Sequence, residues 1–350
     1  MFVLSLTPSQ LVSSAFLTQL VEQGLAQFTL TNLQLISSAA VAGSIEQEGS
    51  NTVFKTKPDE QTLVVFTEGL NLQLITQLSE QLNAQLNIAY WYVVKVDGKQ
   101  DFALAAKVAV VNDDELKQQC ERIANRFSVE LCLVKQKPSL DAAGLLLMDM
   151  DSTVIACECI DDIAMLAGVG EQVSAVTAQA MQGKLDFAQS LRTRVACLTD
   201  ADESILQTVR DALPLMPGVA NLVKVLKHYN WKVAIASGGF TYFADYLAER
   251  LELDAAMANK LEIIDGKLTG KVDGDIVDAQ VKAHTLLALA DKWSIPHSQT
   301  IAMGDGANDL VMMDAAALGV ALHAKPIVRE KADIAIRRGG LDTLLWILGA

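Results

Sequence analysis

Two aspartates one residue apart, Asp149 and Asp151, close the stretch GLLLMDMD. The apolar run before them reads as a strand buried on both faces, because such strands lose the polar alternation of a half-exposed sheet. Alternate residues of a strand face the same way, so both carboxylates point one way and Met150 the other. Two acids this close repel, and the site must hold a cation or keep one acid protonated. That arrangement suits a division of labour. One carboxylate serves as nucleophile or metal ligand while the other carries a proton. The competing reading is a helix N-cap, since Asp-Ser-Thr after a strand also caps a following helix.

Two further stretches have the same placement at a strand end. In IASGGF (235–240), Ser237 offers a hydroxyl, and Gly238 and Gly239 let backbone N–H groups approach an anion. In IAMGDGANDL (301–310), Asp305 lies between Gly304 and Gly306, with Asn308 and Asp309 within a turn. Carboxylates and an amide on a flexible turn suit Mg²⁺, a hard ion that takes oxygen ligands and keeps water. A surface turn of the same composition is the plainer alternative, weakened by the apolar residues on both sides. A transferring phosphoryl group also needs a positive charge. Lys282, at the start of an apolar-periodic helix, is the candidate, although a lone lysine more often lies on a surface.

The elements that must position these residues follow from periodicity. From Gly144 onward, strand-like LLLMDM, KVAIAS, TIAMGD and GVAL alternate with helical patterns, which predicts a mostly parallel α/β sheet. Ligands of such sheets bind beyond the carboxyl ends of the strands. The helical segment of about 157–215 is too long for a crossover and reads as a cap. Upstream, residues 61–137 read as βαββαβ, a split-βαβ ferredoxin-like α+β unit, with Asp97-Gly98 as its hairpin turn. The linker falls at 135–141. Residues 1–60 read as an N-terminal extension, with helix-like spacing at 16–28 and a small-residue stretch at 37–50.

Composition excludes several classes. A net charge of −14 argues against a nucleic-acid partner. MFVLSLTPSQ lacks the basic start and long apolar core of a secretory signal, and no run is apolar enough for a membrane span. Five cysteines with no CxxC pair read as reduced thiols in a cytoplasmic protein. Cys157 and Cys159 read as packing residues, and His228, His284, His297 and His323 lie outside the motifs.

DMDST, SGG, a lone Lys and GDGAND, in this order, resemble the haloacid dehalogenase-like hydrolases. Within that superfamily DMDSTVIACE, MQGKLDFAQSLRTRV and ANKLEIIDGKLTGKV are similar to the opening, cap and hairpin segments of the phosphoserine phosphatase family. The resemblance covers about residues 144–348 and implies a Rossmann-like core (144–156 and 216–348) with a helical cap inserted after the first strand. It implies hydrolysis of O-phospho-L-serine, the last step of serine biosynthesis. Asp149 would be the nucleophile and Asp151 the acid and base, with Mg²⁺ held by Asp149, the Asp151 carbonyl and Asp305, and Asp309 close behind. Ser237, Gly238, Lys282 and Asn308 would bind phosphate. Glu158 and Arg194 would hold the ammonium and carboxylate of serine, with Met181 and Phe187 lining the pocket. The βαββαβ unit resembles ACT-type sensing domains, which implies serine as an inhibitor or a structural role in a homodimer. Two rival functions remain: action on another phosphorylated amino acid such as phosphohomoserine, and a non-catalytic amino-acid-binding regulator.

Overall fold

Apolar periodicity resolves into two separate sheets in the computed structural model, which describes residues 2–31, 34–37, 61–99 and 101–350. One unit comprises Met1–Lys137, Arg337–Gly339 and Thr343–Ala350, and the other Pro138–Ile336 and Gly340–Asp342.

The first unit is a seven-stranded antiparallel sheet in the order β1-β3-β2-β5-β6-β4-β7. Its strands are β1 (Phe2–Ser5), β2 (Gln27–Thr31), β3 (Gln34–Ser37), β4 (Gln61–Phe66), β5 (Leu86–Val94), β6 (Ala103–Val110) and β7 (Glu130–Val134). Helices α1 (Pro8–Val12), α2 (Ser14–Glu22), α3 (Leu72–Leu82) and α4 (Leu116–Phe127) complete it. The βαββαβ set of the sequence reading is β4-α3-β5-β6-α4-β7. Leu72, Ile75, Leu78 and Leu82 of α3, and Leu116, Cys120, Ile123 and Ala124 of α4, are the buried stripes that fasten both helices to one core.

Three departures from the sequence reading belong to this unit. Residues 2–37, read as an extension, supply three strands of the same sheet. The helix expected over 16–28 stops at Glu22, because Gly24 takes a left-handed turn (φ 99°) and Phe28 then lies on β2. The small-residue stretch 37–50 lies, apart from Ser37, outside the described residues. The third departure is at the other terminus, where the sequence reading carried the catalytic domain to 348. The helix Thr343–Gly349 instead belongs to this first unit, with the Trp346 ring 3.9 Å from that of Phe66. Thr343–Leu348 are buried on every face, so this helix needs cover all round. Just before it, the buried Glu130 carboxylate accepts the backbone N–H groups of Arg337, Arg338 and Gly339 at 2.7–3.1 Å.

The second unit is the α/β core with its cap. Its strands are β8 (Leu145–Met148), β9 (Lys232–Phe240), β10 (Ala255–Ile264), β11 (Lys267–Asp273), β12 (Thr300–Gly304), β13 (Leu318–Leu322) and β14 (Ile334–Ile336). Their order is β11-β10-β9-β8-β12-β13-β14, parallel throughout except for the β10–β11 hairpin. That hairpin turns through Asp265 and Gly266, both at positive φ (51° and 73°), the geometry that matches strand twist. Every residue of β8, β12 and β13 is buried, which explains their unbroken apolar sequence. Between β8 and α9 (Val219–His228) the chain makes four cap helices: α5 (Cys159–Leu166), α6 (Gly170–Met181), α7 (Phe187–Ala196) and α8 (Ser204–Asp211). Helices α10 (Thr241–Arg250), α11 (Ala279–Lys292), α12 (Leu310–Asp314) and α13 (Pro326–Lys331) follow later strands. Among the described residues no helix is long and apolar enough to cross a membrane.

Counting β8 as the first strand, the parallel part reads 3-2-1-4-5-6, so the order reverses between β8 and β12. A crevice opens at such a reversal, beyond the carboxyl ends of the two strands. Asp149 follows β8 and Asp305 follows β12.

Replacing Glu130 with alanine removes a buried acceptor from three N–H donors. The Glu130→Ala protein is expected to lose about 2–4 kcal/mol of unfolding free energy, read from urea denaturation.

Candidate active site

Asp149 is positioned by the sheet itself. The Asp149 N–H donates to the Met303 carbonyl at 2.9 Å, extending the β8–β12 ladder by one residue, and the side chain is buried at the strand end. Its Oδ1 accepts from its neighbour's N–H (Met150, 2.8 Å) and pairs with Lys282 Nζ at 2.8 Å. The chain then turns sharply. The Met150 carbonyl accepts the N–H groups of Thr153, Val154 and Ile155, and Ser152 sits at φ 56°. No helix begins at Asp-Ser-Thr, yet the capping alternative is met in another form. Asp151 Oδ1 accepts the N–H of Cys159, the first residue of α5, at 2.9 Å.

Lys282 is not a surface lysine. It is 1% exposed and lies beneath the cleft, its ammonium 2.8 Å from both Asp149 Oδ1 and Asp309 Oδ1. Burial alone would lower this ammonium's pKa, but the two carboxylates overcome it and raise it. Asp309 is fully buried and held on both oxygens. Oδ1 also accepts from Asn308 Nδ2 (3.2 Å), and Oδ2 accepts the Gly306 N–H (3.0 Å). A side chain on Gly304 would overlap the Asp309 carboxylate, so glycine is required there.

The acids differ in their surroundings. Burial pushes the Asp151 carboxyl up to about 7, helped by Glu158 and opposed by the Cys159 N–H. Burial likewise lifts Asp305 to about 6, with Asp149 and Glu158 adding to it. Asp309 is raised by burial and by Asp149, with Lys282 opposing. Oxygens of Asp149, Asp305 and Asp309 lie within 4.8 Å of one another. Asp305 accepts a 3.4 Å contact from Thr153 Oγ1. An all-oxygen set this crowded, with Asp305 and Asp309 raised chiefly by burial and then by the neighbouring Asp149, fits a hard divalent cation. Asp149 and Asp305 would be its direct side-chain ligands, because the oxygens of Asp309 are already taken by donors. The Asp151 carboxylate lies outside the cluster.

A cleft of about 200 Å³ opens over these groups, lined by Asp149, Asp151, Glu158, Arg194, Gly238 and Asn308, with Phe187, Leu191, Ile160 and Phe240 as apolar walls. Glu158 and Arg194 face it from the cap. Ser152 Oγ donates to Glu158 Oε1 at 2.8 Å, while burial raises the Glu158 carboxyl and lowers the Arg194 guanidinium. Arg194 Nε is buried with no hydrogen-bond partner, a donor waiting for an anion. Ser237 is fully buried, its Oγ accepting the Gly239 N–H at 2.8 Å.

Most residues singled out from sequence meet in this one place. Met181 does not. It ends α6, 70% exposed and away from the cleft lining, because a left-handed turn at Gly183 (φ 73°) directs the chain on to α7. Sequence reasoning missed Leu191, Ile160 and Phe240. Leu191 was within reach, four residues after Phe187 and three before Arg194 on one helix face.

Known proteins resemble this chain in sequence and in fold. Residues 144–317 match the model of the haloacid dehalogenase-like hydrolases. A phosphoserine phosphatase of Vibrio cholerae serotype O1 is 56% identical over 238 residues, 68% of this chain and 73% of that one. The unliganded crystal structure of a probable phosphoserine phosphatase from the same species superposes with a TM-score of 0.70. The two are 46% identical, over 82% of this chain and 86% of that one. A substrate-bound phosphoserine phosphatase complex superposes at 0.56, with 40% identity over 59% of this chain and 99% of that chain.

Carboxyls whose folded pKa exceeds the unfolded value bind extra protons in the native state, so their contribution is favourable at low pH and lost as pH rises. With divalent cations chelated, the melting temperature is expected to fall between about pH 4 and pH 7, the window set by the raised Asp305 and Asp151. A saturating divalent cation should flatten that fall. Thermal melts with EDTA and with Mg²⁺ across this range check both.

Proposed function

The chain belongs to the haloacid dehalogenase-like hydrolases and, within them, to the phosphoserine phosphatase family, and on that premise we propose that it hydrolyses O-phospho-L-serine through an aspartyl-phosphate. The observation that carries the mechanism is the contrast between two neighbouring acids. Asp149 is paired to a buried ammonium, whereas burial and the neighbouring Glu158 push Asp151 up to about 7. Environments that separate two carboxyls in this way assign one to nucleophile and the other to acid and base.

In the first step an Asp149 oxygen bonds to phosphorus as the bond from phosphorus to the serine oxygen breaks. Asp151 delivers its proton to that departing oxygen. In the second step Asp151 takes a proton from water, whose oxygen attacks the phosphorus and frees Asp149. Ser237, the Gly238 backbone, Asn308 and Lys282 hold the phosphoryl oxygens, and Lys282 also offsets the charge of Asp149. Mg²⁺, held by Asp149, Asp305 and the Asp151 carbonyl, would polarise the phosphoryl oxygens and offset the crowded acids. Glu158 receives the ammonium of serine, Arg194 grips its carboxylate through paired N–H groups, and Phe187 packs beside them. Met181 would join them only if the cap moved inward.

This chemistry serves the last step of serine biosynthesis in the cytoplasm. The β4-α3-β5-β6-α4-β7 topology supports the ACT-like reading, and with it inhibition by product serine or a homodimer-forming role. Should the unit sense serine, L-serine will inhibit the full chain noncompetitively and D-serine will not; purely competitive inhibition removes the sensor.

Phosphate release from phosphoserine, with phosphohomoserine in parallel, tests the whole reading. Asp149→Asn is expected to lower turnover by roughly 10⁴-fold or more, and Asp151→Asn by about 10²–10⁴-fold. EDTA should abolish release and Mg²⁺ restore it. Arg194→Ala should raise KM roughly 10- to 100-fold. Release strongest from phosphohomoserine moves the error to the cap, and none from either sinks the phosphatase reading.

A further inference from the structure

Gly238 and Gly239, near the end of β9 and ahead of α10, are obliged to be small. A Cβ on Gly239 would lie 2.7 Å from Asp151 Oδ2, and one on Gly238 would meet the Phe187 ring, so neither position accepts a stiffer residue. Ser237 Oγ braces this segment from within by accepting the Gly239 N–H, and a second brace comes from outside it. We propose that Asn259 is a positioning residue that locks the Gly238 peptide to the start of the helix carrying Lys282. The proposal rests on the reading of Ser237–Gly238 as the phosphate cradle.

Asn259 lies on β10 and is 1% exposed. It follows a register shift in the β9–β10 ladder between Met257 and Asn259, the kind of irregularity that re-aims a side chain. Its Nδ2 donates to the Gly238 carbonyl at 2.8 Å, and its Oδ1 accepts the Val277 N–H at 2.8 Å. A carbonyl can only accept and an N–H can only donate, so the amide has one orientation.

Each bond reaches a phosphate-binding group. The Gly238 carbonyl and the Gly239 N–H share one rigid peptide plane, so fixing the first aims the second. That N–H in turn donates to Ser237 Oγ at 2.8 Å, which sets the hydroxyl. At the other end, Val277 precedes Asp278, the N-cap of α11, whose carbonyl accepts the Lys282 N–H at 3.0 Å. One buried amide thus sets the spacing between the hydroxyl and the ammonium of the cradle.

Calorimetric titration of inorganic phosphate into the full chain with saturating Mg²⁺ tests this. The proteins compared are wild type, Asn259→Ala, Asn259→Asp, Ser237→Ala and the Ser237→Ala/Asn259→Ala double variant. Asn259→Asp keeps the size and the acceptor for Val277 but cannot donate to Gly238 when ionised. Both Asn259 variants are expected to bind phosphate about tenfold more weakly, the loss of a net hydrogen bond's worth of alignment. KM for phosphoserine and phosphohomoserine should rise in parallel. Because Asn259 acts through the cradle, the double variant should bind little worse than the weaker single. Folded Asn259 variants with native phosphate affinity and only a lowered melting temperature would overturn the proposal, as would strict additivity. Unchanged affinity in Ser237→Ala would instead bring down the cradle reading, and the proposal with it.

Discussion

One ammonium, that of Lys282, holds the catalytic end of the sheet together. Five acids (Asp149, Asp151, Glu158, Asp305 and Asp309) converge there in a chain whose net charge is already −14. Burying charge is costly unless it is paired and hydrogen-bonded. Lys282 meets that condition with two carboxylates at 2.8 Å, and Asp309 meets it through Lys282, Asn308 and the Gly306 N–H. The same ammonium ties together α11, the end of β8 and the turn after β12. What it leaves unbalanced, Asp305 and Asp151 above all, is where a divalent cation and a mobile proton fit.

The topology explains why chemistry and selection reside in different parts of one unit. The strand order reverses between β8 and β12, so the crevice receives the side chains that follow both strands. The cap leaves the core immediately after Asp151, which brings its first residues, Glu158 and Ile160, to the same cleft as Asp149 without a long connection. Arg194 and Phe187 return on α7 to face them. The core thus supplies the acids, the ammonium and the glycine-bearing segments that follow its strands. The cap adds one acid, one guanidinium and an apolar wall suited to a zwitterionic amino acid.

The glycines near the end of β9 show the converse problem. Close approach of Asp151 and Phe187 demands glycines, and glycines surrender the stiffness a binding site needs. Order is restored from β10, a strand that contributes nothing to the cleft lining, through a side chain at its register shift.

Sequence alone determined what depends on local backbone period. Unbroken apolar runs identified the parallel strands, and their ends located Asp149, Asp151, Ser237, Gly238, Asp305 and Asn308. The resemblance of the opening and cap segments to the phosphoserine phosphatase family brought in Glu158, Phe187 and Arg194. Only the tertiary structure decided what depends on burial and on pairing across long separations. It buried Lys282 between acids supplied by β8 and by the turn after β12. It left Met181 exposed, put β1, β2 and β3 into the first sheet, and gave Thr343–Gly349 to the first unit. It also joined Asn259 to Gly238 and Val277, which no spacing could reveal. A strand's period is written in adjacent residues, whereas the charge or amide opposite a given side chain is chosen by how the chain packs.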